Sequence, residues 1–86
     1  MSSFKFSVLT PFGDAFSGVV EKVIVTTSEG EITVLNNHIP LIATTKKGRL
    51  NILAKGKYLS YLAHQGVLKI GKEETILMCD KIENLE

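Results

Sequence analysis

An all-β fold, two sheets packed into a sandwich or one sheet closed into a flattened barrel, is what this sequence predicts, and three observations predict it. Short runs rich in Val, Ile, Leu, Thr and aromatic residues recur at intervals of about eight to twelve residues, the spacing of sandwiches and barrels. Within the runs, apolar side chains alternate with period two, as the two faces of a strand require. Between them stand Gly, Asn, Pro and Lys, and no stretch of useful length carries a helical period.

The first run, residues 4–10 (FKFSVLT), sets Phe4, Phe6 and Val8 on one face, and Pro11 to Asp14 read as a turn. Strands are predicted over 15–20 and 22–27, with Gly18 a candidate bulge or site of close backbone approach. Ser28 to Gly30 have turn chemistry, and 31–35 (EITVL) alternate cleanly. Residues 36–40 (NNHIP) form a loop, because Pro40 lacks a donor and biases Ile39 toward extended geometry. Strands resume at 41–45, 49–54, 57–63 and 66–70, separated by Lys46-Lys47-Gly48, by Lys55-Gly56 and by the glycine at 66, in the manner of consecutive hairpins. Residues 75–79 (TILMC) follow, and 80–86 hold room for one last short strand, which makes nine or ten. So many short strands, apolar on both sides of the chain, are buried only by two facing sheets or a closed barrel. No linker divides residues 1–86, which are expected to form one domain.

Composition narrows the function. A chain of 86 residues buries only about 60% of its unfolded surface, so stability is expected to be modest. Hydrophobic residues at 44% and charged residues at 22% fit a globular protein, and no apolar run nears the ~18 residues of a membrane span, so membrane association would come through a partner. Ten basic against nine acidic residues give a formal charge of +1, without the basic excess of an electrostatic nucleic-acid binder. A single cysteine, Cys79, and an N-terminus without a long apolar stretch indicate a reducing compartment.

Several motifs suggest chemistry but have plain structural readings. Gly66, Gly71 and Lys72 have the spacing of a phosphate-binding loop, but Glu73 stands where the hydroxyl should be and the residues between alternate like a strand. Met78-Cys79-Asp80-Lys81-Ile82 is similar to the signature of lipoyl-type carrier domains, yet Lys81 lies near the end of the chain rather than at a mid-chain hairpin tip. His38, His64 and Cys79 lack the short-spaced pairing of a zinc site. Cys79, in an apolar strand, reads as a small buried hydrophobe. Lys46, Lys47, Arg49, Lys55 and Lys57 would line the groove of a small nucleic-acid-binding β-barrel, but stacking aromatics are sparse and Trp is absent. Glu29 and Glu31 flank Gly30 and point into water, a contact surface rather than a catalytic pair.

One resemblance gathers these pieces. Phe16-Ser17-Gly18, Val20-Glu21, residues 28–31 (SEGE), residues 33–42 (TVLNNHIPLI) and Gly48, followed by 65–70 (QGVLKI) and 74–77 (ETIL), resemble the ε subunit of F-type ATP synthases, the mitochondrial δ, in order and spacing from Phe4 to about Ile82. The resemblance implies a ten-stranded β-sandwich in the rotor's central stalk, catalysing nothing and binding no cofactor. It implies contact with the c-ring through Ser28, Glu29 and Glu31. It implies contact with the γ subunit through His38, Ile39, Pro40, Leu41 and Ala43, with Thr10 nearby. The implied location is peripheral, on the cytoplasmic face of the bacterial plasma membrane, ahead of the plastid thylakoid. A lipoyl-type carrier and a nucleic-acid-binding barrel are the alternatives.

The chain departs from the family's usual pattern at Asn36, Ile39 and Lys47, which alters loop stiffness more than chemistry. It also stops before the helical hairpin that usually follows, so the restraint of ATP hydrolysis and the ATP binding attached to that hairpin are not expected of these residues.

Overall fold

The computed structural model describes residues 3–85. Met1, Ser2 and Glu86, which belong to the expected domain and the expected last strand, lie outside the described residues. Ten strands are formed: β1 (Phe4–Thr10), β2 (Gly13–Val20), β3 (Lys22–Thr27), β4 (Gly30–Val34), β5 (Leu41–Thr45), β6 (Gly48–Ala54), β7 (Lys57–Ala63), β8 (Gly66–Ile70), β9 (Glu74–Cys79) and β10 (Ile82–Asn84). Among the described residues there is no helix.

Hydrogen bonding runs in the order β10-β7-β6-β3-β5-β8-β9-β1-β2, with β4 added to β3. The sheet folds on itself into two five-stranded layers, β10-β7-β6-β3-β4 and β5-β8-β9-β1-β2. They are stitched where Thr27 lies opposite Thr45, by Ser28 N–H donating to Thr44 O (3.0 Å) and Lys46 N–H donating to Thr26 O (3.1 Å). Every adjacent pair is antiparallel except β1 with β9, which run parallel from Lys5 beside Glu74 to Leu9 beside Met78.

The core lies between the layers and follows the alternation. Phe6 and Val8 of β1, Val23 and Val25 of β3, Leu50 and Ile52 of β6, and Leu68 and Ile70 of β8 are buried. The Phe6 and Phe16 rings pack tilted at a centroid distance of 6.0 Å, a favourable aromatic arrangement. Interdigitated side chains at near-crystalline density make such a block stiff.

Three expectations need correction. The bulge is not at Gly18, which pairs in register with Phe6; it is at Ala15, where Val8 faces Phe16 and Leu9 already faces Asp14. Phe16 faces inward, half-buried beside Phe6, and Asp14 outward, so the extra residue is absorbed where the edge strand leaves the core.

The hairpins are not consecutive. β6 with β7 and β8 with β9 pair as expected, but β7 gives its second edge to β10, and β5 and β6 lie end to end along β3. Several strands also begin earlier than predicted, at Gly13, Gly30, Gly48 and Glu74, and the fourth ends at Val34. Glycine reads as turn chemistry, but at 13 and 30 it takes positive φ (117° and 120°) while its backbone already joins the ladder.

Candidate functional site: a two-sided protein interface

The turn from β3 to β4 is built by one side chain. The Thr27 hydroxyl donates to Gly30 O (2.6 Å) and accepts from Glu29 N–H (3.2 Å), so Ser28 and Glu29 form a closed loop ended by a positive-φ glycine. Ser28, Glu29 and Glu31 are all exposed, and neither acid takes part in an ion pair among the described residues. Ser28 is also tied sideways, its hydroxyl 2.8 Å from Thr44 Oγ1.

The second expected surface is the loop 36–40 and β5. His38 N–H donates to Leu35 O (3.2 Å), and its Nδ1 donates to Ile39 O (2.7 Å), so the imidazole braces its own loop. Asn37 turns the chain at φ 68°, a conformation asparagine tolerates well. Ile39 is 79% exposed and Ile42 is 68% exposed, and Ile42 lines a groove of about 580 Å³ between the layers with Leu41, Ala43, Thr44, Ile32, Ser28 and Glu29.

The structure therefore brings Ser28, Glu29, Leu41 and Ala43 to one groove, with Glu31 beside it on β4 and His38, Ile39 and Pro40 continuing from its β5 wall. It does not bring Thr10 there. The loop 35–38 lies against Phe4 and the β8–β9 turn, whereas Thr10 ends β1 roughly 20 Å further along the strand. Thr10 instead closes a second turn, donating to Gly13 O (3.1 Å) and accepting from Phe12 N–H (3.1 Å). Sequence reading missed Ile42, Ile32 and Thr44; the alternation of LIATT marks Ile42 and Thr44 as sharing a face, but not that this face is open.

Elsewhere the chemistry is structural. Cys79 is buried, its thiol pushed up by desolvation, as fits core packing. Lys81 lies between β9 and β10, which do not pair, so it is no hairpin tip; its Nζ is 3.8 Å from Glu83 Oε2. His64 Nε2 meets the same oxygen at 2.7 Å, and the His64 hydrogen bond followed by the Lys81 charge holds the Glu83 carboxyl below its ordinary value.

The five basic residues divide between the two ends of β6, Lys46, Lys47 and Arg49 at one and Lys55 and Lys57 at the other, roughly 20 Å apart. Residues 66–72 are strand β8 and its turn, with no helix N-terminus. Among the described residues no group of three or more His, Cys, Asp or Glu side chains is placed to hold a metal ion.

Residues 3–85 match the protein family described as the ATP synthase, Delta/Epsilon chain, beta-sandwich domain. The chain belongs to this family. It is 36% identical over 83 residues to the ATP synthase epsilon chain of Ruminiclostridium cellulolyticum, covering 96% of this chain and 62% of that protein. It is 32% identical over 81 residues to the sodium ion specific ATP synthase epsilon chain of Propionigenium modestum, covering 94% of this chain and 59% of that one. This delta/epsilon chain thus spans about six-tenths of the length of these relatives.

Among solved structures it is similar to a chain of the Euglena gracilis mitochondrial ATP synthase (OSCP/F1/c-ring), with a TM-score of 0.92 and 17% identity over 99% of this chain and 55% of that chain. A chain of the Tetrahymena thermophila mitochondrial ATP synthase central stalk and c-ring gives a TM-score of 0.80 at 12% identity, covering 94% of this chain and 66% of that one. At these identities the two likenesses concern the fold, and they agree with the beta-sandwich of the delta/epsilon family.

Proposed function

We propose that the chain is the rotor-side block of an ATP synthase ε subunit, one rigid domain that binds γ through residues 38–43 and stands on the c-ring through Ser28, Glu29 and Glu31. In this role it joins the rotor parts that couple ion translocation to ATP synthesis and catalyses nothing itself. Its place is peripheral, at the cytoplasmic face of a bacterial plasma membrane. Family membership supports the reading, as do the solved structures of similar fold, which are parts of assemblies containing a c-ring or central stalk.

The observation that carries it is the pairing of two unlike surfaces on one stiff body. An acidic turn and an apolar loop-and-strand edge flank the same groove, one suited to basic loops and the other to an apolar interface core. Exposed acid–base pairs contribute up to ~1 kcal/mol each, so losing two of them weakens docking by up to about thirtyfold.

The test is to measure binding of the purified chain to an isolated c-ring in nanodiscs and to an isolated γ subunit. Glu29→Lys with Glu31→Lys is expected to weaken c-ring binding and leave γ binding intact; Ile42→Asp is expected to do the reverse. Unchanged affinities in both variants would overturn the reading.

A further inference from the structure

The chain builds the same turn twice, and the two copies differ in one respect. Thr10-Pro11-Phe12-Gly13 and Thr27-Ser28-Glu29-Gly30 each close a loop with a threonine hydroxyl that donates to the glycine carbonyl and accepts from the N–H two residues on. Both glycines have φ near 120° (117° and 120°). In the first copy Pro11 follows the threonine and has no N–H to give. In the second, Ser28 occupies that place, and both its polar groups reach across to β5: its N–H donates to Thr44 O at 3.0 Å and its hydroxyl lies 2.8 Å from Thr44 Oγ1.

A turn closed by its own threonine keeps its shape wherever it stands, as the first copy shows, so the Ser28–Thr44 bridge is not needed to make the turn. What the bridge fixes is where the turn lies relative to β5. The hairpin of β3 and β4 belongs to one layer and β5 to the other, and the layers are joined on this side by the ladder around Thr27 and Thr45 together with this bridge. Without the bridge, the tip carrying Glu29 is free to swing about that short seam and widen the groove.

We propose that Thr44 is a positioning residue for the acidic turn, holding it through Ser28 at a set distance from β5, so that the c-ring and γ surfaces of this chain keep one mutual geometry. The inference rests on the function proposed above and gives Ser28 an inward role, as the anchor of the turn. Thr44 need touch neither partner. Because the Ser28 hydroxyl is engaged within the chain, Glu29 and Glu31 are left as the groups that meet the c-ring.

The test uses Thr44→Val, which keeps the shape and removes the hydroxyl; Thr44→Ser, which restores it; and Ser28→Pro, which makes the second turn like the first and removes both cross-layer bonds. Backbone order parameters from NMR relaxation are expected to fall at 28–31 in the valine and proline variants, stay unchanged at 11–13, and recover in the serine variant. Protected amides at Leu68 and Leu77 verify that the fold is kept. Binding to the c-ring in nanodiscs is expected to weaken about threefold in Thr44→Val and more in Ser28→Pro, as loss of one or two modest hydrogen bonds implies, with γ binding alone unaffected. Unchanged order at 28–31, or c-ring binding unchanged in both variants while Glu29→Lys with Glu31→Lys still weakens it, would overturn the inference. If order falls at 28–31 but even the double Lys variant binds the c-ring normally, the tether stands and the placement of the c-ring surface is what fails.

Discussion

At Thr27 a single buried hydroxyl closes a turn from both sides, and at Glu83 a single carboxylate gathers His64 and Lys81 at the edge where β10 joins β7. Residues of this kind fix local geometry through polar contacts that a hydrophobic pattern does not announce. Glu83 also gives the protein a pH signature. Its folded value lies below the ordinary carboxylate value of 4.5, so its stabilising contribution is fully present above that value and is lost as pH falls through the lower folded value. Urea midpoints of the wild-type chain and Glu83→Gln are therefore expected to differ near pH 6, the wild type being higher, and to converge as pH is lowered through 4.5 and below. A gap that persists at the lowest pH would show that Glu83 acts by packing rather than by charge.

At the scale of the strand, the sequence was most legible where alternation met a residue that stops it. Strands β1, β3, β5, β7 and β8 occupy the residues expected, because Pro, Gly and Asn-rich stops bound each period-two run. The order of strands was not legible. Alternation tells which face of a strand is buried but not which strand lies beside it, so the β5–β6 corner along β3 and the capture of β7 by β10 are invisible in the pattern. For the same reason the acidic turn and the loop 36–40 could be named from residues, while the groove that joins them, and Thr44 on its wall, could not.

One turn at this scale is imperfect. Lys55 and Gly56 link β6 to β7 with both residues at positive φ (53° and 77°), the backbone of a tight two-residue hairpin that favours Asn-Gly. Lysine in the left-handed region carries a steric cost that asparagine largely avoids. Lys55→Asn is expected to stabilise the chain by roughly 0.5–1 kcal/mol, a rise in Tm of about 3–6 °C for a domain of this size, measurable by calorimetry. A lowered Tm would mean that the lysine side chain contributes more than its backbone costs.

For the whole molecule, the two proposed surfaces share one small core, and their fates are linked through it. Leu77 is fully buried in β9, between β8 and β1. Leu77→Ala is expected to cost about 3 kcal/mol, a large share of the stability of so small a domain. It should weaken binding to γ and to the c-ring together, in proportion to the fraction unfolded, and both should recover on cooling to near the temperature of maximum stability. Surface variants at Glu29, Glu31 or Ile42 are expected to separate the two activities instead. Loss of only one activity in Leu77→Ala would mean that the block is less rigid than its packing indicates.

The parallel contact of β1 with β9 bears on how the chain is made. Lys5 is made well before its parallel neighbour Glu74, so this pairing forms only after the strands between them have been synthesised. Until then the edge of β1 that β9 takes has no partner, and the layer holding Phe6, Val8 and Val20 is incomplete. Long-range pairings of this kind slow folding and leave strand edges open during synthesis. A pause in translation before β9 is made therefore leaves the open edge of β1 as a place where another chain can pair.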